Sequence, residues 1–82
     1  MPKLRRLNGK QVLNILRQHG FEVIRIKGSH HWLRRMVGDE EQNLSVPLHG
    51  AKPIAIGTLK SIYRDACDYI AEDKLKSEFY TD

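Results

Sequence analysis

The sequence contains little of what disulfide-rich, metal–thiolate and membrane proteins need. It has one cysteine, Cys67, which excludes an intrachain disulfide and a zinc site built from cysteines. No apolar run approaches the ~20 residues that span a bilayer. The first residues also lack the apolar stretch of a secretory signal. These absences predict a cytoplasmic protein.

Acidic residues are scarce in the first half of the chain, where Glu22 is the only one before Asp39. The formal charge is +4, from 14 Lys and Arg against 10 Asp and Glu. The cations before Gly38 are Lys3, Arg5, Arg6, Lys10, Arg17, Arg25, Lys27, Arg34 and Arg35, joined by His30 and His31 when these are protonated. Such a basic half indicates a polyanion-binding protein; the alternatives are a solvated basic surface and a surface that meets an acidic protein.

A chain of 82 residues is near the lower limit for one hydrophobic core. We therefore expect one domain over residues 1–82, with any active site on its surface. Asn8 and Gln11 have the spacing of a capping box, and apolar residues then recur at helical intervals up to Gly20, which suits the end of a helix. The pattern predicts a helix over residues 9–19.

Three strands are predicted to follow. β-branched residues favour a strand over residues 21–27. Gly28–Ser29 is a hairpin signal, because glycine suits the first central position of a type II′ turn, and residues 30–37 are the predicted return strand. Residues 38–42 are acidic and turn-like. Residues 43–48 alternate as a third strand, which Pro47 restricts to an edge or an end.

After a loop over residues 50–57, Thr58 is predicted to cap a second helix. The apolar spacing leaves open whether this helix continues through Ile70 or breaks near Asp68 into a third helix that ends by Phe79. The predicted fold class is α+β, a three-stranded antiparallel sheet with the helices on one face. The other face is left free for solvent or a ligand.

The two-residue turn also decides which side chains share a face of the hairpin, because side chains alternate strictly along a strand. It pairs Ile24 with Leu33, Ile26 with His31 and Val23 with Arg34, so that Ile24, Ile26 and Leu33 mark the core face. The opposite surface, here called the basic face, carries Arg25, Lys27, His30, Trp32 and Arg34. A longer turn or a bulge would exchange the two faces.

Cations around one aromatic side chain are typical of a surface that binds phosphates and stacks bases. The alternative is that Trp32 is a sheet residue shielded by the arginine stems through a cation–π contact. The basic face is therefore a predicted RNA-binding surface.

The four histidines differ in their predicted surroundings. His19 ends the first helix, where a cation suits the helix dipole, and His31 falls on the core face. His30 and His49 are both expected on the basic side, where two imidazoles can act as base and acid while an RNA 2′-hydroxyl attacks the adjacent phosphate. No residues have the spacing of a metal site, so the predicted chemistry uses no metal and no cofactor.

Four segments, taken together, resemble the HicA/YcfA-like toxin family over residues 7–68. They are Gly20-Phe21-Glu22-Val23, Lys27-Gly28-Ser29-His30-His31, Val46-Pro47-Leu48-His49 and Gly57-Thr58-Leu59-Lys60-Ser61-Ile62. The resemblance implies a fold similar to the double-stranded-RNA-binding domain. It also implies an mRNA interferase, an endoribonuclease of a toxin–antitoxin system that acts in stress responses and is restrained by a HicB-like antitoxin.

Carried over to this sequence, the family's essential histidine is His30, and Gly28 and Ser29 shape its turn within the RNA-binding surface. His31 is the fallback, because family members vary in which position of the turn supplies the imidazole. The resemblance assigns nothing to His49, whose role as general acid follows from its position alone.

Residues 69–82 form an acidic extension of this family core. The extension could pack on the domain, mediate assembly into a homo-oligomer or a toxin–antitoxin hetero-oligomer, or fold over the basic face. The alternative function is a non-catalytic RNA-binding module that uses the same face.

Overall fold

The computed structural model describes residues 2–81, so Met1 and Asp82 of the predicted domain lie outside the described residues. The elements in chain order are β1 (Lys3–Leu4), α1 (Gly9–Gln18), β2 (Glu22–Lys27), β3 (His30–Val37), β4 (Glu40–Pro47), α2 (Ile56–Cys67), α3 (Glu72–Phe79) and β5 (Tyr80–Thr81). Strands β2, β3 and β4 form an antiparallel sheet in that order, and β1 pairs with β5. The predicted α+β class, similar to a double-stranded-RNA-binding domain, is confirmed.

Helix α1 is closed at both ends by the residues that the sequence indicated. The Asn8 side chain accepts a hydrogen bond from the Gln11 backbone N–H at 2.8 Å, and the Gln11 side chain accepts one from the Asn8 N–H at 2.9 Å. At the other end Gly20 has a φ of 95°, and the Phe21 N–H donates to the Leu16 carbonyl. This Schellman motif turns Phe21 into the core, where it is 1% exposed.

Both connections in the sheet are two-residue turns that start with a glycine of positive φ, Gly28 at 59° and Gly38 at 60°. No other residue type has a positive φ in the described part of the chain, so Gly28–Ser29 has the type II′ pattern that was predicted. The predicted turn over residues 38–42 was too long. Gly38 and Asp39 complete the turn, so Glu40 already pairs with Val37 and β4 begins three residues earlier than expected.

The hairpin register is as predicted near the turn and shifts farther from it. Lys27 pairs with His30, Ile26 with His31 and Arg25 with Trp32, and a bulge then leaves Ile24 without a partner. The predicted pairing of Ile24 with Leu33 was therefore wrong. Val23 pairs with Leu33 instead, and Glu22 rather than Val23 pairs with Arg34.

The bulge also explains why Ile24 is not a core residue and is 47% exposed. Ile26 does lie on the core side, but it is 62% exposed, because the helices pack on β4 rather than over β2. The core face of the hairpin is thus covered only in part.

Helix α2 begins at Ile56, two residues before the predicted cap Thr58. Its N-cap, Ala55, offers no side-chain hydrogen bond, and the Leu59 N–H donates to the Ala55 carbonyl. The start is fixed by the preceding loop, since the Ile54 N–H donates to the Leu7 carbonyl at 2.8 Å. Placing the cap at Thr58 was wrong for this reason.

The C-terminal segment contributes to the core. The chain leaves α2 at Asp68, Ile70 is buried, and α3 then buries Leu75 and Phe79, both 0% exposed. This decides the open alternative in favour of a third helix. No helix among residues 2–81 is long and apolar enough to cross a membrane.

Candidate functional site

The basic face carries a row of stacked side chains near the Gly28–Ser29 turn. The guanidinium of Arg25 lies 5.6 Å from the centre of the Trp32 ring. The His30 ring lies 5.7 Å from the same ring, at an interplanar angle of 35°. Lys27 is opposite His30 in the register, so a cation, an aromatic ring and an exposed imidazole are adjacent.

The turn itself is tied to the end of β4. The Leu48 N–H donates to the Ser29 carbonyl at 2.6 Å. A Cβ at Gly28 would meet nothing within 4 Å, so glycine is needed here for its positive φ and not for space. The bond to Leu48 brings the segment after β4 alongside His30.

His30 and His49 line one cavity of about 340 Å³. Its other lining residues are Pro47, Lys52, Pro53, Ile54, Ala55 and Thr58. Two imidazoles, an ammonium group and a hydroxyl therefore border a single space beside the basic face. Imidazole is the side chain best suited to proton transfer near neutral pH, and Lys52 adds a positive charge for a phosphate.

The loop that carries His49 and Lys52 is positioned by the start of α1. Asn8 forms an isolated β-bridge with Pro53. A Cβ at Gly9 would lie 2.8 Å from the Pro47 carbonyl oxygen and 3.0 Å from the Leu48 Cα, so only glycine allows this approach. The sequence indicated neither Gly9 nor Lys52, although Lys52 is the only lysine, arginine or acid between Val46 and Gly57.

The other two histidines have different surroundings. His31 pairs with Ile26 and Val46 on the core side, is partly buried, and has a buried Nδ1 without a hydrogen-bond partner. His19 contacts the Glu78 carboxylate and so joins α1 to α3. These positions match the core-side and structural roles that the sequence indicated.

Two of the arginines after Trp32 are engaged within the protein. Arg34 donates to the Glu41 carboxylate at 3.0 Å, an ion pair between exposed side chains. Arg35 points to the core side and donates to Gln42, to the His19 carbonyl and to the Tyr69 carbonyl. Arg34 therefore lies on the basic face with its charge paired to Glu41. Arg25 and Lys27 make no ion pair among the described residues.

Cys67 and Tyr63 form a separate pair at the far end of α2. Burial raises the pKa of the Tyr63 hydroxyl to about 12 and also raises the pKa of the Cys67 thiol. A protonated thiol is a poor nucleophile, so this cysteine is a poor candidate for catalysis. Within residues 2–81 no group of three or more His, Cys, Asp or Glu side chains is placed to hold a metal ion.

Comparison with known proteins gives one match. No curated protein and no solved structure matches the chain. The family model described as the HicA toxin of bacterial toxin–antitoxin systems matches residues 9–66. This range contains the sheet, the Gly28–Ser29 turn and the loop with His49 and Lys52. Because it covers well over half of the sequence, the chain belongs to the HicA toxin family.

Proposed function

We propose that this toxin is an endoribonuclease that cleaves mRNA, with His30 as the general base. The observation that carries the proposal is the shared cavity of His30 and His49 at the end of the basic face. A phosphodiester held there would lie in a space lined by two imidazoles and the ammonium group of Lys52. This is the arrangement that cleavage by the neighbouring 2′-hydroxyl needs.

The reaction proceeds by transfer within the RNA. His30 takes the proton of the 2′-hydroxyl as its oxygen forms a bond to the adjacent phosphorus. The bond from phosphorus to the 5′-oxygen breaks, and His49 donates a proton to that leaving oxygen. The products are a 2′,3′-cyclic phosphate and a free 5′-hydroxyl. His31, the fallback for the base, lies on the core side, where its surroundings favour a packing role.

The basic face positions the substrate for this step. Trp32 offers a stacking surface for one base, while Arg25 and Lys27 bind the flanking phosphates. Sequence-specific recognition of RNA targets unpaired nucleotides whose bases can be splayed out. We therefore propose single-stranded mRNA as the substrate, in the cytoplasm, and a HicB-like antitoxin as the protein that restrains it.

The test compares wild type with His30→Gln and His31→Gln. We expect His30→Gln to lower the cleavage rate of a single-stranded RNA by ~10²–10⁴-fold, the usual contribution of a general base. His31→Gln should retain most of the cleavage and lower the melting temperature. Cleavage by wild type should also persist in EDTA, because both proton transfers are made by imidazoles.

Three outcomes would contradict the proposal. RNA left intact by wild type after complete removal of the antitoxin would favour the non-catalytic RNA-binding module. Equal growth arrest by wild type and His30→Gln would do the same. Loss of cleavage in His31→Gln alone, with its fold intact, would transfer the role of base to the fallback residue.

The packing of the C-terminal segment supports the interpretation that the described residues form one domain. Ile70, Leu75 and Phe79 join the same buried cluster as Phe21 and Leu33. We propose that residues 69–81 are an integral part of the domain. This favours packing on the domain over the other two roles considered for the extension.

A further inference from the structure

The cavity beside His30 has a neighbour that shares part of its lining. A cavity of about 440 Å³ lies next to it and shares four lining residues with it, Lys52, Pro53, Ile54 and Ala55. The second cavity is completed by Leu4, Arg5, Arg6, Ile56 and Leu59. The two cavities, together called the Lys52 groove here, border residues 52–55 between His30 and the segment after β1.

The charges along the Lys52 groove have one sign. Lys52 lines both cavities, and Arg5 and Arg6 line the larger one. Neither cavity is lined by an acidic residue. Cavities elsewhere on the molecule differ, since Glu72 and Asp73 line those around α3, and Asp65 and Asp68 line one beside Trp32. The groove therefore suits an anionic ligand.

The walls of the Lys52 groove are apolar and fixed. Pro47, Pro53 and Ile54 line the part nearest His30, and Ile56 is 66% exposed in the part beyond Lys52. The walls are held by backbone contacts, the Leu48 bond to Ser29 and the Ile54 bond to Leu7. A positively charged groove can follow the backbone of a single nucleic-acid strand, and apolar walls beside the cations can pack against its bases.

We propose that the Lys52 groove binds the single-stranded RNA that extends from the cleaved phosphodiester away from the sheet, with Lys52 on the next phosphate. The proposal rests on the proposed function, because it takes RNA as the ligand. It extends the RNA surface beyond the basic face to a part of the molecule around α1 and α2. The bound RNA would thus pass over the Gly28–Ser29 turn. One part of it would lie on the basic face and the other in the Lys52 groove, with His30 between them.

The test measures binding of a short 2′-O-methyl RNA, which cannot be cleaved through its 2′-oxygen, to full-length His30→Ala protein. Lys52→Met is compared with Lys60→Met on this background, because Lys60 is an exposed lysine of α2 that lines neither cavity. Each substitution removes one positive charge. Lys52→Met should weaken binding severalfold and lower the salt slope, log Kd against log salt, by about 0.7, the value for one phosphate contact on a single strand.

Lys60→Met should leave the affinity and the salt slope close to those of the parent. Equal effects of the two substitutions would overturn the proposal, because a general loss of charge would then explain both. Matching melting curves of the two variants show that any difference does not arise from unfolding.

A second measurement locates the RNA. Addition of the same RNA should shift the backbone amide resonances of Lys52, Ala55 and Gly57 but not those of Lys60 and Arg64. If only amides of the basic face shift, the groove does not bind RNA and the proposal fails.

The two proposals can fail separately. If the amides of the groove shift and Lys52→Met weakens binding, but wild type leaves RNA intact, the enzyme proposal fails and the groove stands. If wild type cleaves RNA but Lys52→Met binds RNA as its His30→Ala parent does, the groove proposal fails and the enzyme proposal stands.

Discussion

The two sides of His30 are held in place by different kinds of contact. On the sheet side, Trp32 lies in the continuous pairing of β3 with β4, and Arg25 pairs with Trp32 next to the bulge at Ile24. On the loop side, His49 and Lys52 depend on a few bonds between distant segments, such as Leu48 to Ser29 and Ile54 to Leu7. A regular ladder distributes its support over many residues, whereas a loop held at a few points can be displaced by one substitution.

The strongest expected effect tests whether the loop side takes part in the proposed catalysis through His49. His49→Asn should slow cleavage by ~10²–10⁴-fold, the usual contribution of a general acid or base. An RNA with sulfur in place of the leaving 5′-oxygen should restore the rate, since thiolate leaves without a proton.

The same sulfur-containing RNA should not rescue His30→Gln, because the base acts on the 2′-hydroxyl. Unchanged cleavage of ordinary RNA by His49→Asn would remove the loop side from the chemistry and leave it only a binding role.

The next effect concerns the sheet side. Trp32→Leu removes the stacking surface while keeping an apolar side chain, and it should weaken single-stranded RNA binding by ~1–3 kcal/mol, the usual contribution of one stacked base. Trp32→Tyr should recover most of this loss. If both variants bind as wild type does and only their melting temperatures change, Trp32 is the shielded sheet residue of the alternative interpretation.

The last effect concerns the support of the loop side. The Cβ of Gly9→Ala would press on the Pro47 carbonyl and the Leu48 Cα, so we expect a loss of ~1–3 kcal/mol in the free energy of unfolding, as for other overpacked sites. RNA binding that depends on Lys52 should fall, while binding that depends on Trp32 should be retained.

Gly57→Ala is the matched control, since nothing lies within 4 Å of its added Cβ. Alanine is a better helix former than glycine, so this variant should be as stable as wild type or more stable. Equal melting temperatures for the two variants would show that Gly9 does not position the loop.

The same contrast explains how much could be predicted from the sequence. The positions of Arg25, His30 and Trp32 followed from the Gly28–Ser29 turn, because a tight turn determines the pairing on both sides. Ile24 was misplaced because a run of β-branched residues is compatible with a bulge as well as with regular pairing. The start of β4 was predicted too late because its first residues, Glu40 and Glu41, are acidic and turn-like. Their pairing with β3 depends on backbone hydrogen bonds, which side-chain type does not reveal.

The loop side was the least predictable. Lys52 lies in a segment without periodicity, and its place beside His30 results from contacts with Leu7, Asn8 and Gly9 that local sequence does not encode. The pairing of β1 with β5 is likewise short and joins distant residues. Only the position of His49 relative to Pro47 gave a usable signal, through the alternation of the third strand.

The pairing of β1 with β5 has a consequence for synthesis on the ribosome. Lys3 pairs with Thr81, and Phe79, next to that pair, fills the core. The first strand to emerge must therefore wait for the last, and closing so long a loop is entropically costly until the contacts are made. We expect the native fold to be completed only after residues 72–81 have left the exit tunnel.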